Sequence, residues 1–281
     1  MDEVDALLAR VDSLPPAPKL LPQLMSALAN FDCDIGRVVE MVSFDPALTV
    51  KLLQMCNSAY FSLSNRVTSV PEAVTRLGFH SIYDVVALMS GEQFLRPSQA
   101  TQKNADRMWK HAVITAFAAR SLATGMGVDS DLLFTAGLLH DIGKVPLTEA
   151  LKGDYTALVT DTTLAGRTLV GLETASFGVD HAAVGARLLE QWRFSPEFVT
   201  GVRFHHDCKN AGEGARMAAC IELADDLAHS LDVPEIEEPA PVLTSSDTLN
   251  SLDLTENEIT AHREEITENW HFVEKMCRTR A

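Results

Sequence analysis

Leu138-Leu139-His140-Asp141-Ile142-Gly143-Lys144 is the stretch on which the reading of this chain turns. An apolar helical run, Asp131 to His140, ends in a His-Asp doublet followed by a glycine turn. Neutral imidazole and carboxylate are the ligand set of zinc, iron or manganese. Neighbouring helical residues diverge by ~100°, yet an ion lying off the helix end is within reach of both. The carboxylate of Asp141 could also bridge two ions, and Lys144 would supply a compact positive charge for a phosphate. Taken alone, the doublet reads better as an ordinary helix end, with His140 bonding a carbonyl and Asp141 capping the next turn.

The remaining histidines shift that balance. Of the nine in the chain, five fall at helix positions that can converge: His111, His140, His181, His205 and His206. His111 lies in a long helix, within Trp109-Lys110-His111. His181 starts a helix after Asp180, and His205-His206-Asp207 ends one. Asp225 and Asp226 lie inside the next. Buried His and Asp side chains need partners, because unpaired polar groups in an apolar interior are costly. A shared ion satisfies several at once. His80, His229, His262 and His271 read as surface or boundary residues.

Around this core the periodicity is helical almost throughout. Leu20, Leu21, Leu24, Met25 and Leu28 form one apolar stripe, and Val38, Val39, Met41 and Val42 a second, after Asp34 as N-cap. Asp45-Pro46 opens a third helix with Pro in its first turn, ended by Asn57-Ser58. Pro71 starts a short helix that Gly78 closes. Further helices are expected over about 81–89, 104–124, 131–140, 182–192, 196–205 and 215–229. No strict alternation bounded by hairpin turns is visible, so the fold class is all-α, an irregular multi-helix bundle. Residues 232–257, with Pro234, Pro239, Pro241 and a Glu cluster, read as a linker or mobile loop. A last amphipathic helix follows, over about 258–281.

His111, His140-Asp141, His181, His205-His206 and Asp225 occur in the order seen in the HD metal-dependent phosphohydrolase superfamily. They resemble most its HD-GYP branch, which hydrolyses cyclic dinucleotides. The N-terminal half is similar to something narrower. It contains Asp45-Pro46-Ala47-Leu48, Leu52-Leu53, Asn57-Ser58-Ala59-Tyr60-Phe61, Val70-Pro71-Glu72-Ala73-Val74 and Leu77-Gly78. These motifs resemble the HDOD family, the HD-related output domain of bacterial signalling proteins, from about Leu14 to Asn210. Residues 211–231 would complete the HD-like core through Asp225. The HDOD resemblance implies an output or interaction module. The ligand set implies one or two transition-metal ions, with iron favoured and manganese or zinc as alternatives. It further implies metal-assisted phosphoester hydrolysis of a nucleotide or cyclic dinucleotide as the alternative function, with Asp141 bridging and Lys144 steadying the phosphate. The chain departs from the HD-GYP pattern after His206, where Asp207-Cys208-Lys209-Asn210 stands with no Gly-Tyr-Pro.

Composition narrows the partners. The 281 residues carry 23 basic and 39 acidic side chains, a net −16. Such acidity disfavours nucleic acid and anionic membranes as partners. Residues 231–281 hold twelve acidic and four basic side chains, so the acidity is densest there. The body could still take a phosphate beside Lys144, and the expected partner is a signalling protein or a small phosphorylated ligand. No stretch reaches the ~18 apolar residues of a membrane span, and Met1-Asp2-Glu3 does not open a secretory signal. Five scattered cysteines without a Cys-x-x-Cys pair suit reduced thiols in a cytoplasm. No receiver, sensor or cyclase domain is expected ahead of the HDOD-like part.

Overall fold

The residues that punctuate the sequence also punctuate the fold. The computed structural model describes residues 2–11, 20–28, 35–57, 66–96, 102–160, 168–231, 248, 252–255 and 257–267. Among them the helices are α1 (Glu3–Leu8), α2 (Leu20–Leu28), α3 (Ile35–Ser43), α4 (Pro46–Cys56), α5 (Val70–Leu77) and α6 (Phe79–Leu95). Then come α7 (Gln102–Ala123), α8 (Ser130–Leu139), α9 (Lys144–Leu151), α10 (Gly153–Thr160), α11 (Leu169–Phe177) and α12 (His181–Gln191). Helices α13 (Pro196–Arg203) and α14 (Ala215–Ser230) are joined through two short 3-10 turns, and residues 257–267 form α15. No strand occurs among the described residues, so the all-α expectation holds.

Local chemistry sets several of these ends. Ser69 accepts from the Glu72 amide at 3.3 Å while Glu72 accepts from the Thr68 amide at 2.9 Å, a reciprocal cap at the start of α5. Asp129, Asp180 and Ser195 cap α8, α12 and α13 in the same way, each accepting from backbone amides of the first turn. Asn57 ends α4 as expected. Its amide donates to the carbonyls of Leu53 and Val67 and accepts from the Val67 amide, each at 2.7 Å, tying the helix end to the chain ten residues on. Residues 58–60 and Asp34 lie outside the described residues.

Three departures have a physical reason. Helix α6 runs from Phe79 to Leu95, well beyond 81–89, because it is buried nearly all round and carries no polar face to mark its period. Helices α9, α10 and α11 were not anticipated. Pro146 near the start of α9, β-branched residues in α10 and Gly171 in α11 weaken the local signal, and tertiary packing decides instead. Helix α1 was missed because it is only six residues long. Most of the expected 232–257 loop lies outside the described residues, as do 268–281. The described part of the C-terminal helix folds back onto the bundle. Ile266 and Leu252 are buried in the main core, and Arg263 donates to the Ser230 carbonyl at 3.0 Å.

Helix α8 is the axis of the molecule. Eight of its ten residues are buried, and α7, α6, α13 and α14 all pack on it. A buried polar tie joins its start to the N-terminal helices. Arg120 of α7 binds Asp84 of α6 in a fork at 2.5 and 2.6 Å and reaches Asp131 of α8 at 2.9 Å. The same guanidinium lies 4.1 Å over the Phe134 ring. Tyr83 pairs with Thr135 beside it. A smaller core of Val4, Leu7, Leu147, Tyr155, Val179 and Val184 fastens α1, α9, α10 and α12 together.

Two glycines let backbones approach closely. A Cβ on Gly137 would stand 2.7 Å from the Thr115 carbonyl of α7, and one on Gly143 only 2.0 Å from the His181 carbonyl of α12. The first crossing sets the approach of α7 to α8, and the second sets that of the α8–α9 corner to α12. Gly143→Ala is expected to cost about 3 kcal/mol in urea unfolding, the upper end for an overpacked core. Gly153→Ala, where nothing lies within 4 Å, should instead be neutral or stabilising by up to about 1 kcal/mol.

Candidate metal centre

The seven residues singled out as ligands come from three helices and two helix ends, and the fold brings all of them together. His111 lies midway along α7, one turn before Thr115. His140 caps α8 and Asp141 follows it. His181 is the first residue of α12, His205 and His206 lie just beyond α13, and Asp225 sits in the middle of α14. His111, His140, Asp141, His181, His205 and Asp225 are buried, whereas His206 is exposed at the rim.

The carboxylate of Asp141 divides the cluster. Its Oδ2 lies 3.3 Å from His140 Nε2 and 3.8 Å from His111 Nε2, on the side where Asp225 Oδ1 stands 2.9 Å from His111 and 3.5 Å from His140. Its Oδ1 lies 3.2 Å from His181 Nε2, which is 3.1 Å from His206 Nε2. The His205 ring packs against those of His181 and His206. One carboxylate thus faces two groups of imidazoles, each a candidate ion site.

The outer nitrogens of His140, His181 and His205 are already engaged. His140 and His205 each donate Nδ1–H to the carbonyl three residues back, Gly137 and Val202, at 2.7 Å. His181 donates Nδ1–H to Glu173 at 2.7 Å. Glu173 also accepts from the His181 amide at 2.9 Å and from the Tyr155 hydroxyl at 2.6 Å. These bonds fix each ring and leave its Nε2 turned inward, the arrangement of imidazoles that ligate metal. The inward atoms have no adequate protein partner. His205 Nε2, Asp141 Oδ1 and Asp225 Oδ1 are buried without a hydrogen bond, and so is His111 Nδ1. Buried polar atoms without a partner are rare and costly. The residues therefore fit a cationic group, and a mixed imidazole–carboxylate set suits iron, manganese or zinc.

Electrostatics agree with that fit. Burial works against charge on Asp141, yet His140 and Lys144 outweigh it and hold the carboxyl well below the usual range. Burial is likewise overcome at Asp225, by His111 and His140. Burial also opposes a charged His140, but Asp141 and Asp225 push it up to about 10. Burial, reinforced by His206 and His140, keeps His205 neutral and well below the ordinary value. Two ionised carboxylates, beside His111, His205 and His206 that burial holds toward the neutral form, give a pocket that attracts cations. Lys144 lies at its edge, with Nζ 2.6 Å from Asp141 Oδ2.

Sequence reasoning missed three members of the site. Glu173 and Tyr155 lie on α11 and α10, and no local pattern links either to His181. His229, read as a boundary residue, lies against the cluster. It stands four residues after Asp225 on α14, its Nε2 3.4 Å from Asp225 Oδ1 and its ring 4.5 Å from that of His111. The i, i+4 spacing was the signal available. Cys208 is buried beside Thr248, at 3.7 Å. Burial pushes the Cys56 and Cys220 thiols up to about 11 and about 12, so both pack as inert hydrophobes.

Removing the oriented hydrogen bond to His181 by Glu173→Ala should weaken metal affinity about 10–100-fold, read by chelator competition. A second expectation concerns protons. Below about pH 10, metal-free His140 carries a proton that an incoming ion must displace. Metal uptake at pH 8 should therefore release protons, seen as buffer-dependent heats in calorimetry. Affinity should rise with pH and level off near 10.

Comparison with known proteins agrees with this architecture. A protein of Treponema pallidum of uncharacterised function is 30% identical over 211 residues, 73% of this chain and 40% of that protein. Ribonuclease Y of Opitutus terrae is 29% identical over 136 residues, 48% of this chain and 20% of that enzyme. The chain thus spans well under half the length of either relative. The crystal structure of an HDOD domain protein of unknown function from Geobacter sulfurreducens superposes with a TM-score of 0.78 at 20% identity, covering 99% of this chain and 96% of that one. At that identity the likeness speaks for the fold alone. Residues 14–208 match the profile of the HDOD domain family, and with that match the chain belongs to the HDOD family.

Proposed function

We propose that this chain is a bacterial signal-transduction output module of the HDOD type that keeps a loaded HD-type metal centre. One observation carries the reading: His205 Nε2, Asp141 Oδ1 and Asp225 Oδ1 converge in the interior without hydrogen-bond partners. A group of residues retained only for packing would have found partners or been replaced by apolar side chains. Residues 14–210 form the HDOD body in this reading, and 211–231 complete the core through Asp225. Two ions are expected, with iron favoured over manganese or zinc. The module would act on a signalling protein or a small phosphorylated ligand in the cytoplasm.

A second reading, hydrolysis of a phosphoester, is favoured by the completeness of the donor set and by the placement of Lys144. The ions, when bound, supply Lewis acidity toward a phosphoryl oxygen and a more acidic water. The chain supplies the rest. Asp141 holds the two groups of imidazoles in one frame, and Glu173 keeps the His181 ring oriented. Lys144, partly exposed and 2.6 Å from Asp141, is the cation a phosphate would meet at the edge of the pocket. The likeness to ribonuclease Y is compatible with a phosphodiester substrate, and the missing Gly-Tyr-Pro argues against recognition of HD-GYP type.

Elemental analysis of protein purified without added metal is the first test. Bound transition metal that disappears in His140→Ala and Asp141→Ala supports the centre. A chain that stays metal-free even after incubation with Fe2+, Mn2+ or Zn2+ would sink both readings. The loaded protein should then be assayed on bis(p-nitrophenyl) phosphate and on cyclic dinucleotides. Hydrolysis abolished by Asp141→Ala establishes the enzyme, whereas a loaded but inert protein leaves the output module.

A further inference from the structure

Donors that share one ion have a recognisable spacing. At about 2.1 Å from a common centre, they stand about 3.0 to 3.4 Å from one another in octahedral or tetrahedral arrangements. Around Asp225 Oδ1 three imidazole nitrogens lie at or within 0.1 Å of this spacing: His111 Nε2 at 2.9 Å, His140 Nε2 at 3.5 Å and His229 Nε2 at 3.4 Å. The third belongs to none of the expected ligands.

From this spacing we infer that His229 is a ligand of the ion held by His111, His140, Asp141 and Asp225. The inference rests on the metal-centre reading above and extends it to a residue that reading does not include. Its support is geometric. Asp225 and His229 lie one turn apart on α14, so both side chains project from the same face. The His229 ring is tilted by 34° against that of His111 with centroids 4.5 Å apart, and its side chain is 28% exposed. Asp225 Oδ1 has no hydrogen bond although three imidazoles surround it. The three rings crowd one carboxylate oxygen, which no single hydrogen-bonding arrangement serves equally. His111, Asp225 and His229 offer donor atoms all within 4.8 Å of one another, a spacing that one ion can span.

This assignment makes the two halves of the centre unequal. His111, His140, Asp141, Asp225 and His229 give the first ion five protein donors. Asp141, His181, His205 and His206 give the second only four. The second ion would therefore keep more positions for an exchangeable ligand. A small oxyanion, phosphate included, is then expected to bind on the side of His205 and His206.

The test uses the full chain and Co2+ as the probe. Stoichiometry is read by elemental analysis, affinity by chelator competition, and ligand number by the visible absorption of bound cobalt. The parent should take up two equivalents. His229→Gln should still bind two, with one of them weakened at least about 10-fold and its absorption altered. His229→Glu, which restores a donor of similar reach, should recover most of the affinity. His262→Gln, on α15, serves as the histidine control and should match the parent. His229→Gln with parental affinity and spectrum, in a protein that binds two cobalt ions, overturns the inference and leaves the centre intact. A parent that binds no cobalt overturns the centre and the inference with it.

Discussion

Everything in this molecule is arranged around polar atoms that an apolar interior does not tolerate alone. Two carboxylates and four imidazoles are buried where α7, α8, α12 and α14 meet. Their mutual distances, mostly 2.9–3.8 Å, are too long or too poorly aligned to satisfy them all. Hydrophobic packing alone would favour replacing them. With the outer nitrogens of His140, His181 and His205 already bonded, the atoms that face inward are left to one another. A divalent cation would satisfy several of these donors together.

Holding such a cluster requires precision in the backbone. The Gly143 contact with the His181 carbonyl fixes the separation of the Asp141 carboxylate from the second group of imidazoles. The Gly137 contact with Thr115 does the same for His111 and His140. Both contacts are main chain to main chain, so no side-chain rearrangement can relax them. The Arg120 tie to Asp84 and Asp131 holds the far end of α8. The candidate ligands thereby sit on rigid helices or in the turns that directly follow them.

Much of this was legible in the sequence. Helices with one apolar face, such as α5, and those opened by Asp, Ser or Pro declared themselves. So did the histidines next to helix ends. What escaped detection shares a physical cause. Helix α6 is buried too completely to show a period, and α9–α11 are too short and weakly helical to stand out. Glu173 and Tyr155 act through tertiary contacts, and nothing in their neighbourhood in sequence points to His181. His229 is the instructive omission. It was judged by its own surroundings, when its spacing from Asp225 already placed it on the same helical face.

The burial of α8 has a bearing on how the protein would age and fail. Its amides lie under four other helices, so they should exchange with solvent only when the whole domain opens. His140 and Asp141 hang from the end of this slowest-exchanging segment, whereas His206 and His229 stand at the rim. Loss of an ion would then begin with ligand exchange at the rim while the scaffold stays folded. An emptied centre would remain a shaped receptacle able to refill, and the working lifetime of the site would be set by metal supply more than by unfolding.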